Sequence, residues 1–86
     1  MITISYSSKF LRQLKKLEPA LKDEAKIRIN LFKSQISHST LKVHKLHGKL
    51  DDCWAFSINY KYRIVFEYVS ENEANLLVID DHDIYK

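Results

Sequence analysis

The stretch His44–Tyr68, HKLHGKLDDCWAFSINYKYRIVFEY, contains the change of periodicity that decides the fold. From Cys53 onward apolar and polar residues alternate with period two, the spacing of side chains along a strand. Trp54, Phe56, Ile58 and Tyr60 fall on one face of a first strand. Tyr62, Ile64, Phe66 and Tyr68 fall on one face of the next, with Lys61 at the turn between them. A polar turn over Ser70–Glu73 leads to a third strand over Ala74–Ile79. Three successive strands with short connections predict an antiparallel meander.

Towards the N-terminus the period changes. Ile2, Ile4 and Tyr6 alternate as a short strand, and Ser7 or Ser8 is placed to cap a helix. Phe10, Leu11, Leu14 and Leu17 follow at helical spacing, with Lys9, Arg12, Lys15 and Lys16 facing outward. Glu18-Pro19 breaks this helix, because proline lacks the amide donor and restricts the residue before it. Pro19 then suits the first turn of a second helix. Its core stripe is Leu21, Ala25, Ile29, Phe32 and Ile36, widened by Ile27 and Leu31, before a loop over Ser34–Thr40. The expected architecture is α+β. An N-terminal strand and an antiparallel helical hairpin pack on a mainly antiparallel sheet of four or five strands, all within one domain over residues 1–86.

Hydrophobic residues at 45% and aromatics at 12% supply a core and argue against disorder. No 18-residue apolar run and no signal-peptide core occur, so a cytoplasmic location without a membrane partner is expected. The lone Cys53 has no partner for an internal disulfide and reads as a small strand residue. The charge is asymmetric. Residues 1–50 hold 11 Lys/Arg against 3 Asp/Glu, and residues 51–86 hold 3 against 8. A half this basic is a candidate footprint for a polyanion; the competing reading is a pair of solvated helix faces.

Candidate chemistry collects in the C-terminal half. Arg63 shares its strand face with Val65, Glu67 and Val69, so it emerges on the open side of the sheet if the aromatic set packs under the helices. His44 and His47 precede the meander, and LLVIDDHDIYK (Leu76–Lys86) ends the chain with His82 and Tyr85. No cofactor is expected. A metal site is not expected either, since the His and Asp spacing matches no familiar closed site. A Ser-His-Asp triad lacks a nucleophile turn. Cleavage of RNA by its own 2′-hydroxyl needs a base, a cation for the developing charge, and an acid for the departing 5′-oxygen. Arg63 fits the cation, matching two phosphate oxygens at once. His82 and either His44 or His47 can exchange protons near neutral pH. Tyr85 can orient the nucleophile, stack on a base or donate a proton. The competing readings pair Arg63 with Glu67, His82 with Asp80, Asp81 or Asp83, and make Tyr85 an apolar plug.

HKLHGKLDDCWAFSINYKYRIVFEY resembles the central stretch of the RelE/ParE toxin superfamily, in which a "LxG" element precedes an aromatic-rich strand and a strand opening Tyr-Arg-Ile/Leu-Val. The tail LLVIDDHDIYK resembles that of the RelE, YoeB and YafQ-like branch of mRNA interferases. The resemblance implies a fold similar to microbial ribonucleases and the toxin of a type II toxin–antitoxin pair. Such a toxin is a metal-independent endoribonuclease that cuts mRNA in the ribosomal A site. It implies Arg63 on the scissile phosphate, His82 in proton transfer, Tyr85 on the nucleotide, and His44 or His47 as the acid/base group. Lys42, Lys45 and Lys49 become phosphate contacts, Lys61 a further RNA contact, and the helix cations face ribosomal RNA. The chain departs from YoeB-like members in having no carboxylate between Glu24 and Asp51. The implied partners are a cognate acidic antitoxin, mRNA and the 70S ribosome, with operator DNA reached only through the antitoxin. The alternative is a ParE-like inhibitor of DNA gyrase with no nuclease site.

Overall fold

The computed structural model describes residues 1–34, 41–46 and 52–81. Their order is β1 (Thr3–Tyr6), α1 (Ser8–Lys16), α2 (Pro19–Ser34), β2 (His44–Lys45), β3 (Trp54–Ser57), β4 (Tyr62–Ser70) and β5 (Glu73–Asp81). The five strands form one sheet in the order β1-β5-β4-β3-β2. The β1–β5 pair is parallel, and the other three are antiparallel. The expected α+β architecture is therefore present, with β2 as a strand that the sequence pattern did not mark.

Each helix begins where local chemistry dictates. Ser7 caps α1, its Oγ accepting from the Phe10 amide at 2.9 Å, and Lys15 and Lys16 lie in the last turn, where cations suit the dipole. Pro19 opens α2, and the Glu18 carbonyl accepts from the Lys22 amide. Between helices and sheet lies the main core, including Ile2, Phe10, Ala25, Ile29, Phe32, Leu41, Phe56, Ile64, Phe66 and Leu76. At its centre the Phe32 ring sits 4.6 Å from Phe56 and 4.7 Å from Phe66, tying α2 to β3 and β4. Such ring pairs add to the burial of their large apolar surfaces.

Three expectations about burial are corrected. Leu11 and Ile27 are 49% and 53% exposed, because one helix layer on a single sheet covers only a narrow stripe of each helix. Tyr60 leaves the strand face altogether. β3 ends at Ser57, and Asn59 starts the turn by accepting the Lys61 and Tyr62 amides on its Oδ1. The face opposite the helices is not fully open either. It carries a second small cluster of Leu46, Ala55 and Val65, with Cys53 and Val78 against it. Ile36 of the expected helix stripe, and the loop beyond Ser34, lie outside the described residues.

A bulge in β5 sets the faces of the sheet. Val65 pairs with Val78 but Phe66 pairs with Leu76, so Leu77 is the extra residue. Leu76 and Ile79 thereby both enter the helix-side core, and Asp80 falls on the outer face. Ser7 holds this irregularity, its hydroxyl donating to the Leu77 carbonyl at 2.6 Å and its amide to the Leu76 carbonyl at 2.9 Å. Gln13 of α1 pairs with the Ile79 peptide through both amide atoms, at 2.7 and 3.0 Å, beyond the last β1 partner. Ser7→Ala removes the helix cap and the bond at the bulge together. A loss of about 1–2 kcal/mol in urea unfolding is expected, with Ser7→Thr retaining most of it; equal stability of all three proteins would contradict this role.

Candidate functional site

Arg63 is the second residue of β4 and pairs directly with Asp80 of β5 on one side and Ser57 of β3 on the other. Directly opposed residues share a face, so the three side chains form one row across the outer side of the sheet. The guanidinium donates from Nε at 3.2 Å and from Nη2 at 3.1 Å, both to Asp80 Oδ2. The two side chains are only 14% and 9% exposed. Arg63 thus lies on the outer face that alternation predicts but is largely covered there, and the ion pair described for it is with Asp80, not Glu67. Glu67 instead accepts from Asn75, which in turn accepts from Ser5. Placing a charge at this depth is tolerable because its counter-charge is fixed by the register of two adjacent strands.

His44 opens β2 opposite Ala55 and therefore lies on the same outer face as Arg63, in the neighbouring row with Ala55 and Val65. Its Nδ1 is 2.7 Å from the Lys42 carbonyl. A carbonyl only accepts, so this contact places the proton of the neutral imidazole on Nδ1 and leaves Nε2 as the basic nitrogen. Lys42 supplies that carbonyl from a left-handed backbone, with φ of 57°, the one positive φ at a non-glycine residue among those described. A left-handed lysine costs about 1–2 kcal/mol, a strain that buys the orientation of His44.

Lys42, His44 and Ser57 continue into an open pocket of about 490 Å³, completed by Arg28 of α2 and by Asn59 and Tyr60 of the β3–β4 turn. Arg28 is held by Glu24 one helical turn earlier, at 2.9 Å. Other expected contacts lie elsewhere. Lys45 pairs with Trp54 and so belongs to the opposite face from Arg63. The Lys61 ammonium sits 5.5 Å from the Tyr62 ring centre. His47, Lys49, His82 and Tyr85 lie outside the described residues, as does His38. Arg28 and Asn59 carry no signal of a site in the sequence, and the places of Asp80 opposite Arg63 and of Tyr60 on the turn emerge only from the register and the turn.

Among the described residues, no group of three or more His, Cys, Asp and Glu is placed to hold a metal ion. Burial, with Glu67 and Asp52 nearby, pushes the Cys53 thiol above its ordinary pKa, which disfavours the reactive thiolate. No described helix is long and apolar enough to cross a membrane.

No protein-family model matches the sequence, and no curated protein matches it. Solved structures do. YafQ from E. coli strain BL21(DE3) superposes with a TM-score of 0.77 at 12% identity, with 100% of both chains covered. The YoeB–YefM complex from Staphylococcus aureus gives a TM-score of 0.73 at 15% identity, over 95% of this chain and 98% of the other. The toxin–antitoxin complex RelBE2 from Mycobacterium tuberculosis gives 0.69 at 18% identity, over 94% and 98%. The fold is therefore that of the RelE, YoeB and YafQ toxins.

Removing Arg63 alone leaves Asp80 buried and uncompensated. Arg63→Ala is expected to lower stability by about 3 kcal/mol, and Arg63→Ala with Asp80→Ala to recover a good part of that loss. Urea unfolding of the two variants checks this. A single variant as stable as wild type would show that the pair carries no weight in the fold.

Proposed function

We propose that this chain is the toxin of a type II toxin–antitoxin pair, a metal-independent endoribonuclease cutting mRNA in the ribosomal A site by attack of the 2′-hydroxyl. The fold shared with YafQ and YoeB supports the toxin assignment. The observation that carries the chemistry is the outer face of the sheet, where Asp80 fixes the Arg63 guanidinium and His44 shares the same face with Nε2 as its basic nitrogen.

Arg63 meets the scissile phosphate and stabilises the charge that builds on it. Its plane is already set by Asp80, so binding costs less ordering than a loose arginine demands. His44 takes the 2′-hydroxyl proton, a role that falls to His47 if that residue comes nearer. From the strand spacing, the backbones at Arg63 and His44 stand roughly 12 Å apart, and the bound strand spans the face between them. His82 returns a proton to the 5′-oxygen, and Tyr85 orients the nucleotide. Lys42 and Lys49 contact flanking phosphates. Lys45, on the opposite face, and Lys61 meet other parts of the RNA or ribosome together with the helix cations. An acidic antitoxin neutralises the basic half of the chain in the cytoplasm, and operator DNA is reached through that antitoxin.

The test is primer extension on a reporter mRNA, with and without translating ribosomes. Wild type is compared with Arg63→Lys and with His82→Ala/Tyr85→Ala. Arg63→Lys keeps a cation opposite Asp80 but lacks the planar fork, so it tests the phosphate role with less risk to the fold than Arg63→Ala. Cuts within codons, seen only with translation and reduced at least about 100-fold in both variants, are expected. Full activity in Arg63→Lys removes the clamp assignment. Absence of any cut by wild type, together with inhibition of DNA supercoiling, turns the reading to a gyrase inhibitor.

A further inference from the structure

Tyr60 is 95% exposed on a turn that has no freedom to hide it. Asn59 Oδ1 accepts the Lys61 amide at 2.9 Å and the Tyr62 amide at 2.8 Å, and the Ile58 amide donates to the Tyr62 carbonyl at 2.9 Å. Ile58 itself is fully buried and anchors the turn in the main core. The ring touches no other aromatic among the described residues, yet it stands at the mouth of the pocket shared with Lys42, His44 and Ser57. Ser57 is the direct cross-strand partner of Arg63, so the pocket begins one strand away from the Arg63–Asp80 pair.

We infer that this pocket is a nucleotide-binding subsite for single-stranded RNA, in which Tyr60 stacks on a base and Lys42 contacts its phosphate. The inference rests on the ribonuclease reading for its ligand class and adds a second place where the strand is gripped. Its volume of about 490 Å³ lies in the range of small-ligand sites. The wall is mixed in the way a nucleotide requires. A presented aromatic ring offers a flat apolar surface, and a lysine held in an unusual backbone conformation offers charge beside it. Arg28 also lines the pocket and, already engaged by Glu24, adds less net charge than its type suggests. Stacking accepts any base, so the subsite registers the strand and does not by itself select a sequence.

The probe is a fluorescein-labelled tetranucleotide of 2′-O-methyl RNA, which cannot undergo 2′-hydroxyl attack, followed by anisotropy at several salt concentrations. Wild type is compared with Tyr60→Ala, Tyr60→Phe and Lys42→Gly; the last keeps the left-handed backbone while removing the charge. Tyr60→Ala is expected to weaken binding about 5- to 150-fold, and Tyr60→Phe to retain it. Lys42→Gly is expected to lower the salt slope of log K by about 0.7. Unchanged affinity in Tyr60→Ala, or displacement of the probe by an acidic peptide but not by unlabelled oligonucleotide, overturns the subsite. The two readings separate cleanly. Cleaved mRNA with unchanged probe binding in Tyr60→Ala removes the subsite alone, whereas weakened probe binding without any mRNA cleavage by wild type removes the nuclease alone.

Discussion

The extra residue in β5 is the constraint on which the rest of the structure depends. Strict alternation along β5 places Leu76, Val78 and Asp80 on one face. With Leu77 bulged, Leu76 and Ile79 both enter the core and Asp80 is turned to the outer side, opposite Arg63. Without it, either Asp80 enters the helix-side core or Leu76 leaves it, and both are costly. Ser7 links this irregularity to the start of α1, since one hydroxyl accepts the Phe10 amide and donates to the Leu77 carbonyl. The N-terminal helix and the C-terminal strand are thereby fixed by one small side chain.

From that register the outer face follows. Gln13 supplies the backbone partner that Ile79 lacks at the strand's edge, next to Asp80, and Asp80 in turn holds Arg63. The arginine sits on the central strand β4, whose other face carries Ile64 and Phe66 against Phe32. Rigid support of this kind gives a charged group a defined direction, which loops do less well. The ion pair also has a chemical consequence. In the proposed reaction, a phosphate arriving at Arg63 meets a guanidinium already partly neutralised by Asp80, so binding must share or displace that contact. Affinity is reduced while orientation is gained, a balance suited to acting on a transition state more than on a ground state.

Much of this fold was legible in the sequence because its strands are long enough to show a period. Tyr62–Tyr68 alternates cleanly and became β4, and Pro19 marked the helix boundary. β2 has two residues, too few for any pattern. The partner of Arg63 was hidden because a one-residue bulge reverses the parity of β5, and composition carries no sign of it. Tyr60 misled for a related reason. The alternation of Trp54, Phe56, Ile58 and Tyr60 runs three residues past the true strand end at Ser57, while the structural signal was Asn59, a residue able to seed a turn through its side chain. Leu11 and Ile27 show a different limit, since helical spacing identifies a face but not how much of it a single sheet covers.

A metal-free reaction through the 2′-hydroxyl leaves a distinctive product. Cleavage of a reporter mRNA on translating ribosomes, followed by analysis of the new ends, is the decisive experiment. The account predicts 5′-fragments ending in a 2′,3′-cyclic phosphate or its 3′-phosphate hydrolysis product. Fragments ending in a 3′-hydroxyl would contradict it.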